Sequence, residues 1–366
     1  MRRRHFDTLR PICPVCRTGD DASFPLRIAE VIREEGEDII EGVLHCTNGN
    51  CLREYPVIDG IPLIVANIRQ YVSDQLPAIC GRHDLSDVLE SMLGDCCGPG
   101  SAFDQTRQQL SSYTWDHYAD SDPGETAAEP RPSSLLQNLR IGTQAAGTLL
   151  PGPILDAGCS VGRGTFALAE RSEELVLGVD LNFAMLQVAS RVLRQGVVQY
   201  SRRRVGLVYE RREFPAQFAN AGQVDFWACD ATVLPFAADT FAFLTSMNVL
   251  DCVRAPTELL ASLGRVLKPG GKAVLASPYD WSANATPLEA WLGGHSQRSP
   301  LAGSSAEILR TLLTPGAHPG AISGLKLLAE REHLPWRVRL HDRSTMTYKL
   351  HLVVAERIPT AEPSKA

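Results

Sequence analysis

Apolar residues in this chain gather in short unbroken runs, and helical spacing returns between the runs. Ile154-Leu155, Leu175–Asp180, Val224–Cys229, Phe241–Ser246 and Lys272–Ser277 read as strands buried on both faces, the signature of a parallel sheet. Phe166, Leu168 and Ala169 begin one helix, and Asn182 caps a second that runs through Met185, Val188, Ala189 and Val192. A third, from Pro256 to Leu267, is predicted to stop at the breaker Lys268-Pro-Gly-Gly271. The distance from Asp156 to Asp180 suits one intervening helix, as a β-α-β unit requires. The pattern predicts an α/β domain with a mostly parallel sheet.

The flanks are less regular. Helical spacing from Ser134 to Leu150 leads into the first strand, and Gly196 to Phe214 reads as an inserted strand pair. Leu325 to Arg357 holds two strand-like runs, one of them Lys349–Ala355. The signal is weakest between Asn67 and Pro132, where Asp87–Leu93 suits a helix, and the Cys96-Cys97-Gly-Pro-Gly and Asp120-Ser-Asp-Pro-Gly-Glu stretches are breakers. The expected division is a ribbon over 1–66, a linker and helical flap over 67–150, a catalytic domain over 151–358 and a loose tail over 359–366.

The first strand stops at an acid and breaks into glycines: Asp156-Ala-Gly158-Cys-Ser160-Val-Gly162-Arg-Gly164. Such a strand, tight turn and helix start lets the backbone approach a ligand closely at the carboxyl edge of a sheet. It is neither a Walker loop, since no Gly-Lys-Ser/Thr comes after it, nor the Gly-x-Gly-x-x-Gly dinucleotide fingerprint.

Ten cysteines and the lack of an apolar leader after the charged Met-Arg-Arg-Arg-His start place the chain in the cytoplasm by expectation, with thiols or metal ligands rather than disulfides. Cys13-Pro-Val-Cys16 and Cys46-x4-Cys51 form two knuckles whose thiolates can close a tetrahedral structural zinc site. His45 is an alternative ligand, while Cys80, Cys96 and Cys97 lack a second knuckle. No run of eighteen apolar residues suggests a membrane span. A net charge of −6 argues against a surface that coats nucleic acid. Arg202, Arg203, Arg204, Arg211 and Arg212 in the inserted pair nevertheless offer either an anionic-substrate contact or a solvated hairpin diluted by Glu210 and Glu213.

The cysteine pairs, with Tyr55-Pro-Val-Ile-Asp-Gly-Ile-Pro62 after them, resemble the zinc-ribbon activator subunits of tRNA and release-factor methyltransferases, over roughly residues 11–66. The glycine turn, the acid after strand two, Cys229-Asp-Ala231, Asn248-Val-Leu-Asp251 and Leu267-Lys-Pro-Gly-Gly271 together resemble class I S-adenosylmethionine-dependent methyltransferases. That resemblance implies a Rossmann-like, mostly parallel seven-stranded sheet. It also implies that Asp180 accepts the ribose hydroxyls, that Asp230 and the Ala231 amide meet the adenine, and that Asp156 lies by the methionine amino group. Gly158, Cys159, Ser160, Gly162, Leu181 and Asn248 complete the expected donor contacts. Tyr113, Trp115 and Tyr118 resemble an aromatic flap over the cofactor or pack between domains.

Met247–Asp251, Ala276–Ser282, Glu289–Gly294 and Leu334–Arg343 are similar to the methyltransferase domain of ovothiol-biosynthesis enzymes, which methylate an imidazole nitrogen of 5-thiohistidine. On the acceptor side the candidates are Asn248, Asp251, Ser277, Tyr279 and Asp280, with Trp281 and Trp291 shielding or merely packing. Three functions stand open: a small-molecule N-methyltransferase, an RNA or protein methyltransferase gripping its substrate with ribbon and arginines, or a non-catalytic binding module. The oligomeric state is not legible in the sequence.

Overall fold

A computed structural model describes residues 1–17, 24–82, 84–125 and 133–359. After the helix α1 (Arg3–Leu9) come four antiparallel strands, β1 (Leu26–Glu35), β2 (Asp38–Cys46), β3 (Glu54–Ile58) and β4 (Ile61–Ile64). The helices α2 (Ile68–Ile79), α3 (Asp87–Cys97), α4 (Ala102–Tyr118) and α5 (Ser134–Ala146) come next. The alternating part comprises β5 (Ile154–Ala157), α6 (Arg163–Ala169), β6 (Val176–Asp180), α7 (Phe183–Gln195), the hairpin β7 (Val197–Val205) and β8 (Val208–Pro215), then β9 (Val224–Cys229) and β10 (Phe241–Met247). It ends with α8 (Pro256–Val266), β11 (Leu267–Ser277), α9 (Ser305–Leu312), β12 (Leu325–His341) and β13 (Ser344–Arg357).

The expected seven-stranded sheet is in fact eleven-stranded, in the order β1-β2-β3-β4-β9-β6-β5-β10-β11-β13-β12. Seven of these strands, from β9 to β12, are the expected ones. The other four enter because β4 pairs in parallel with β9, Leu63 opposite Ala228 and Ile64 opposite Cys229, so the ribbon extends the sheet edge. The physical reason lies in the sequence: Ile61-Pro-Leu-Ile64 is buried throughout, and an apolar strand beside the open edge of β9 covers backbone groups that would otherwise lie bare. Other bonds fix the same junction: the Arg2 amide donates to Asp225 (2.9 Å) and the Ile12 amide to the Pro235 carbonyl (2.8 Å).

Side chains alternate across the sheet into two cores. Ile154, Val176, Phe226 and Ala228 face the layer that holds α5, α6 and α7. Leu155, Leu177, Trp227 and Cys229 face α8, α9 and the ribbon's own apolar residues, among them Phe6, Leu44 and Tyr55. Every residue of β5, β9 and β10 is buried, as parallel strands covered on both faces should be.

Asn182 caps α7 as expected, its side chain accepting from the Met185 amide (3.2 Å). The Lys268-Pro-Gly-Gly stretch behaves differently from a plain breaker. It ends α8 but lies inside β11 as an irregularity between the Phe241–Leu267 and Phe243–Lys272 pairs, where Gly270 takes φ 78°. The helix expected over Asp87–Leu93 runs on through Cys97, ending at Gly98. Of the expected tail, all but Pro359 lies outside the described residues. Among the described residues no helix is long and apolar enough to cross a membrane.

Strand order positions the site. From β5 the chain moves one way to β6 and β9, then returns to the other side of β5 with β10 and β11. The crevice outside the carboxyl ends of β5 and β10 is therefore a topological switch point, the place where open α/β sheets take ligands.

Candidate active site

The glycine turn sits at this switch point. The Gly158 and Cys159 amides both donate to the Val179 carbonyl (2.8 and 3.0 Å), hooking the turn over the end of β6, and Cys159 itself is buried. Two glycines are obligatory here. At Gly158 (φ 81°) a Cβ would lie 2.2 Å from Val249 Cγ2, and at Gly162 (φ 87°) 2.6 Å from the Phe226 ring. Ser160 takes φ 52°, the left-handed region, which is why a glycine is the usual occupant of such a position. It is held there from two sides: its amide donates to Asp180 Oδ2 (2.8 Å) and its hydroxyl to Met185 Sδ (3.2 Å).

The acids fall into two kinds. Asp156 is buried under the turn with both oxygens occupied, accepting from Thr165 and Thr245 hydroxyls (2.8 Å each); burial raises its pKa. Its role in this structure is to brace β5, α6 and β10. Asp180 ends β6, accepts from the Ser160 and Asn182 amides (2.8 Å each) and is pushed up by desolvation, with exposed Leu181 beside it. Asp230 comes directly after β9 and accepts from the Thr232 amide and hydroxyl (2.9 and 2.6 Å), fixing the turn that carries buried Ala231.

Beyond β10, Asn248 takes φ 58° and its buried Oδ1 finds no hydrogen-bond partner among the described residues. Asp251 is buried, with its Oδ2 accepting from the Asp280 amide (2.7 Å) and its pKa raised by burial. Tyr348, which sequence reasoning missed, is pushed up by burial and by the neighbouring Asp280 carboxyl. The paired strands β12 and β13 run past the last β11 pair, Ser277–His351, and so carry Tyr348 over the crevice from the far side.

Tyr279 behaves differently from its neighbours. It takes φ 56°, and its hydroxyl shares a 2.7 Å hydrogen bond with His351 Nδ1, whose Nε2 lies 3.0 Å from Glu330. Ser277 anchors the same loop by accepting from the Tyr279 amide (3.0 Å). The indoles of Trp281 and Trp291 stack at 6.1 Å, and their N–H groups are spent on Ser305 and the Thr286 carbonyl, so they brace the 281–305 segment.

The aromatic stretch before the domain is helix α4. Tyr118 lies beneath the glycine turn and donates to the Val161 carbonyl (2.7 Å). Trp115 carries the Arg202 and Arg339 guanidinium groups over its ring (4.9 and 5.2 Å) and donates to Glu125 (2.9 Å). Tyr113 exposes 40 % of its surface, yet its hydroxyl end is desolvated and pushed up to about 12, with Cys252, Asp180 and Asp251 adding to the shift.

The inserted hairpin forms, but its arginines are spent within the chain. Arg202 pairs with Glu125 (3.0 Å), Arg203 donates to Gln108 (2.9 Å), and Arg204 pairs with Asp342 and Glu210. Arg211 pairs with Asp87 (3.1 Å) and Arg212 with Asp122 (2.5 Å). These bonds fasten α3, α4 and the β12–β13 tip into a cap.

The four ribbon thiols also converge. Cys13–Cys51 and Cys16–Cys46 sulfurs lie 3.9 and 3.7 Å apart, and all four lie within 4.8 Å of one another. A zinc tetrahedron with bonds of about 2.3 Å has sulfur–sulfur edges of roughly 3.8 Å, so the residues fit the metal. The Asn48 amide and side chain donate to Cys46 and Cys16 sulfurs (3.4 Å each), as thiolates would invite. His45 is instead engaged with Glu54 (2.9 Å). Cys80, Cys96 and Cys97 are exposed and free.

Against known proteins, residues 155–275 match the family described as Methyltransferase domain. Phosphoethanolamine N-methyltransferase 1 of Triticum aestivum is 30 % identical over 145 residues, 40 % of this chain and 24 % of that protein. Demethylmenaquinone methyltransferase of Renibacterium salmoninarum is 49 % identical over 53 residues, 14 % of this chain and 22 % of its own length. The chain therefore spans about a quarter of the length of these relatives. Among solved structures, Haemonchus contortus phosphoethanolamine N-methyltransferase 2 in complex with S-adenosyl-L-methionine is 23 % identical, with TM-score 0.32, covering 45 % of this chain and 32 % of that one. Residues 155–275 thus match a methyltransferase domain, and the same residues form a Rossmann-like sheet with the glycine turn, Asp180 and Asp230 at one edge.

Proposed function

We propose that the chain transfers a methyl group from S-adenosylmethionine to a nitrogen of a small amine or heterocycle, with a 5-thiohistidine as the specific candidate. The donor would be held by Gly158, Ser160 and Gly162 of the turn, by Asp180 at the ribose and by Asp230 at the adenine; a carboxylate suits a diol because it accepts two hydrogen bonds at once. The bound sulfonium supplies an activated methyl, and the chain's task is alignment of the acceptor.

The observation that carries the small-amine reading is the acid-lined loop pair beyond β10 and β11: Asp251 is buried and accepts from the Asp280 amide (2.7 Å), and the buried Oδ1 of Asn248 has no hydrogen-bond partner among the described residues. Carboxyl groups of this kind favour a nitrogen base. Asp251, with its raised pKa, is suited to take the proton that an amine sheds on methylation. The arginines that a polyanion would need are committed to Glu125, Asp342, Asp87 and Asp122, which favours the small acceptor over RNA. A role for the zinc ribbon as a staple and sheet extension suits the same reading. Single-turnover transfer with donor already bound tests the assignment: Asp251→Asn should lower the rate about 10²-fold and leave donor affinity unchanged. An unaltered rate would remove Asp251 from the reaction.

A further inference from the structure

The ribbon's last strand ends level with the donor pocket, and the helix after it carries a buried hydroxyl that is left unsatisfied. β4 pairs Ile64 with Cys229, one residue before Asp230, and the chain then turns at Asn67, whose side chain accepts from the Gln70 amide (3.3 Å), into α2. That helix is docked by Gln75, which accepts from the Phe183 amide (3.2 Å) at the first residue of α7, just past Asp180. One turn before Gln75 stands Tyr71, 8 % exposed, with its ring in the core of the α5–α7 face. Its hydroxyl is buried and has no hydrogen-bond partner among the described residues. Leaving a buried hydroxyl unpaired costs free energy, and chains seldom keep one without a use. The groups that act on it are Asp180 and Cys229, the carboxyl-end residues of β6 and β9.

We propose that Tyr71 is a donor-binding residue supplied from outside the methyltransferase domain: its hydroxyl hydrogen-bonds the adenosine of S-adenosylmethionine between Asp180 and Asp230. The proposal rests on the donor site described above. It gives the ribbon a part in donor binding, since the strand that joins the sheets also sets where α2 begins. It also explains why a phenol, rather than an apolar ring, occupies this buried position. Without ligand the hydroxyl is a liability; with adenosine present it gains its partner.

The experiment is calorimetric titration of the full chain, wild type, Tyr71→Phe and Asp180→Ala, with S-adenosylmethionine and with 5′-methylthioadenosine, which lacks the amino-acid part. Tyr71→Phe should weaken both ligands by about fivefold to tenfold, the worth of one hydrogen bond. The ligand-free variant should melt at or above the wild-type temperature, because an unpaired buried hydroxyl has gone. That pair of opposite signs separates a binding role from a packing role. Unchanged affinity in Tyr71→Phe, with Asp180→Ala still impaired, would overturn the proposal alone. Full affinity in Asp180→Ala, or no binding by the wild type, would overturn the donor-site reading and the proposal with it.

Discussion

Ser160 and Gly158 show how much of the site's geometry is decided by one residue. Both hold positive φ, but only Ser160 does so with a side chain, held by Asp180 on one side and Met185 on the other. Gly158→Ala would combine a strained φ with a Cβ 2.2 Å from Val249 and should cost more than about 2 kcal/mol, read as a lowered melting temperature together with lost donor binding. Retained stability and binding would mean that the turn is more pliable than its contacts indicate. A second residue-scale test concerns Asp116, which accepts from the Arg339 amide (3.0 Å) and is pushed up to about 7 by burial. The native carboxyl therefore keeps a proton that the unfolded chain releases near pH 4, so stability falls as pH rises from about 4 to about 7. Asp116→Asn has no such proton to lose, and its melting temperature relative to wild type should rise between pH 5 and pH 8. A constant difference across that range would contradict the shift. The positions of Asp180, Asp230 and Asp251 at or just past strand ends were legible in the sequence because each ends or closely trails a buried apolar run. The placement of Tyr71 and Tyr348 was not, since a tyrosine in a weakly patterned helix or an alternating strand carries no local mark of what it faces.

At the scale of elements, strands and their order were readable wherever burial on both faces removed all polar residues: β9 was legible to its end residues. The union of ribbon and sheet was not, because Ile61–Ile64 has the same composition whether it closes a small ribbon or joins β9. Chelation of the Cys13, Cys16, Cys46 and Cys51 site should release a single zinc ion per chain, measured by elemental analysis, and expose β1 to β3 to protease. Because β4 leads into α2, donor affinity should fall as well. A metal-free chain with a protected ribbon and full affinity would show that packing alone holds this edge. The arginine hairpin was legible as a strand pair, but its partners lie far away in sequence, from Asp87 to Asp342. Neutralising Arg202, Arg203 and Arg204 together should therefore lower the melting temperature by several degrees. A variant that keeps wild-type stability while losing RNA affinity would restore the nucleic-acid reading.

For the whole molecule, ribbon, cap and sheet are tied together around the carboxyl edge: β4 pairs with β9, and α4 is bonded to β12 through Asp116 and the Arg339 amide. The central claim is that the crevice at this edge methylates a small nitrogen base. Transfer of label from S-adenosylmethionine to a panel of 5-thiohistidine, histidine, phosphoethanolamine, total RNA and cell-extract protein tests it most directly. Label should appear in a small amine, with Asp180→Ala and Asp251→Asn both impaired. Label confined to RNA or protein, and lost when Arg202, Arg203 and Arg204 are neutralised, would contradict the account.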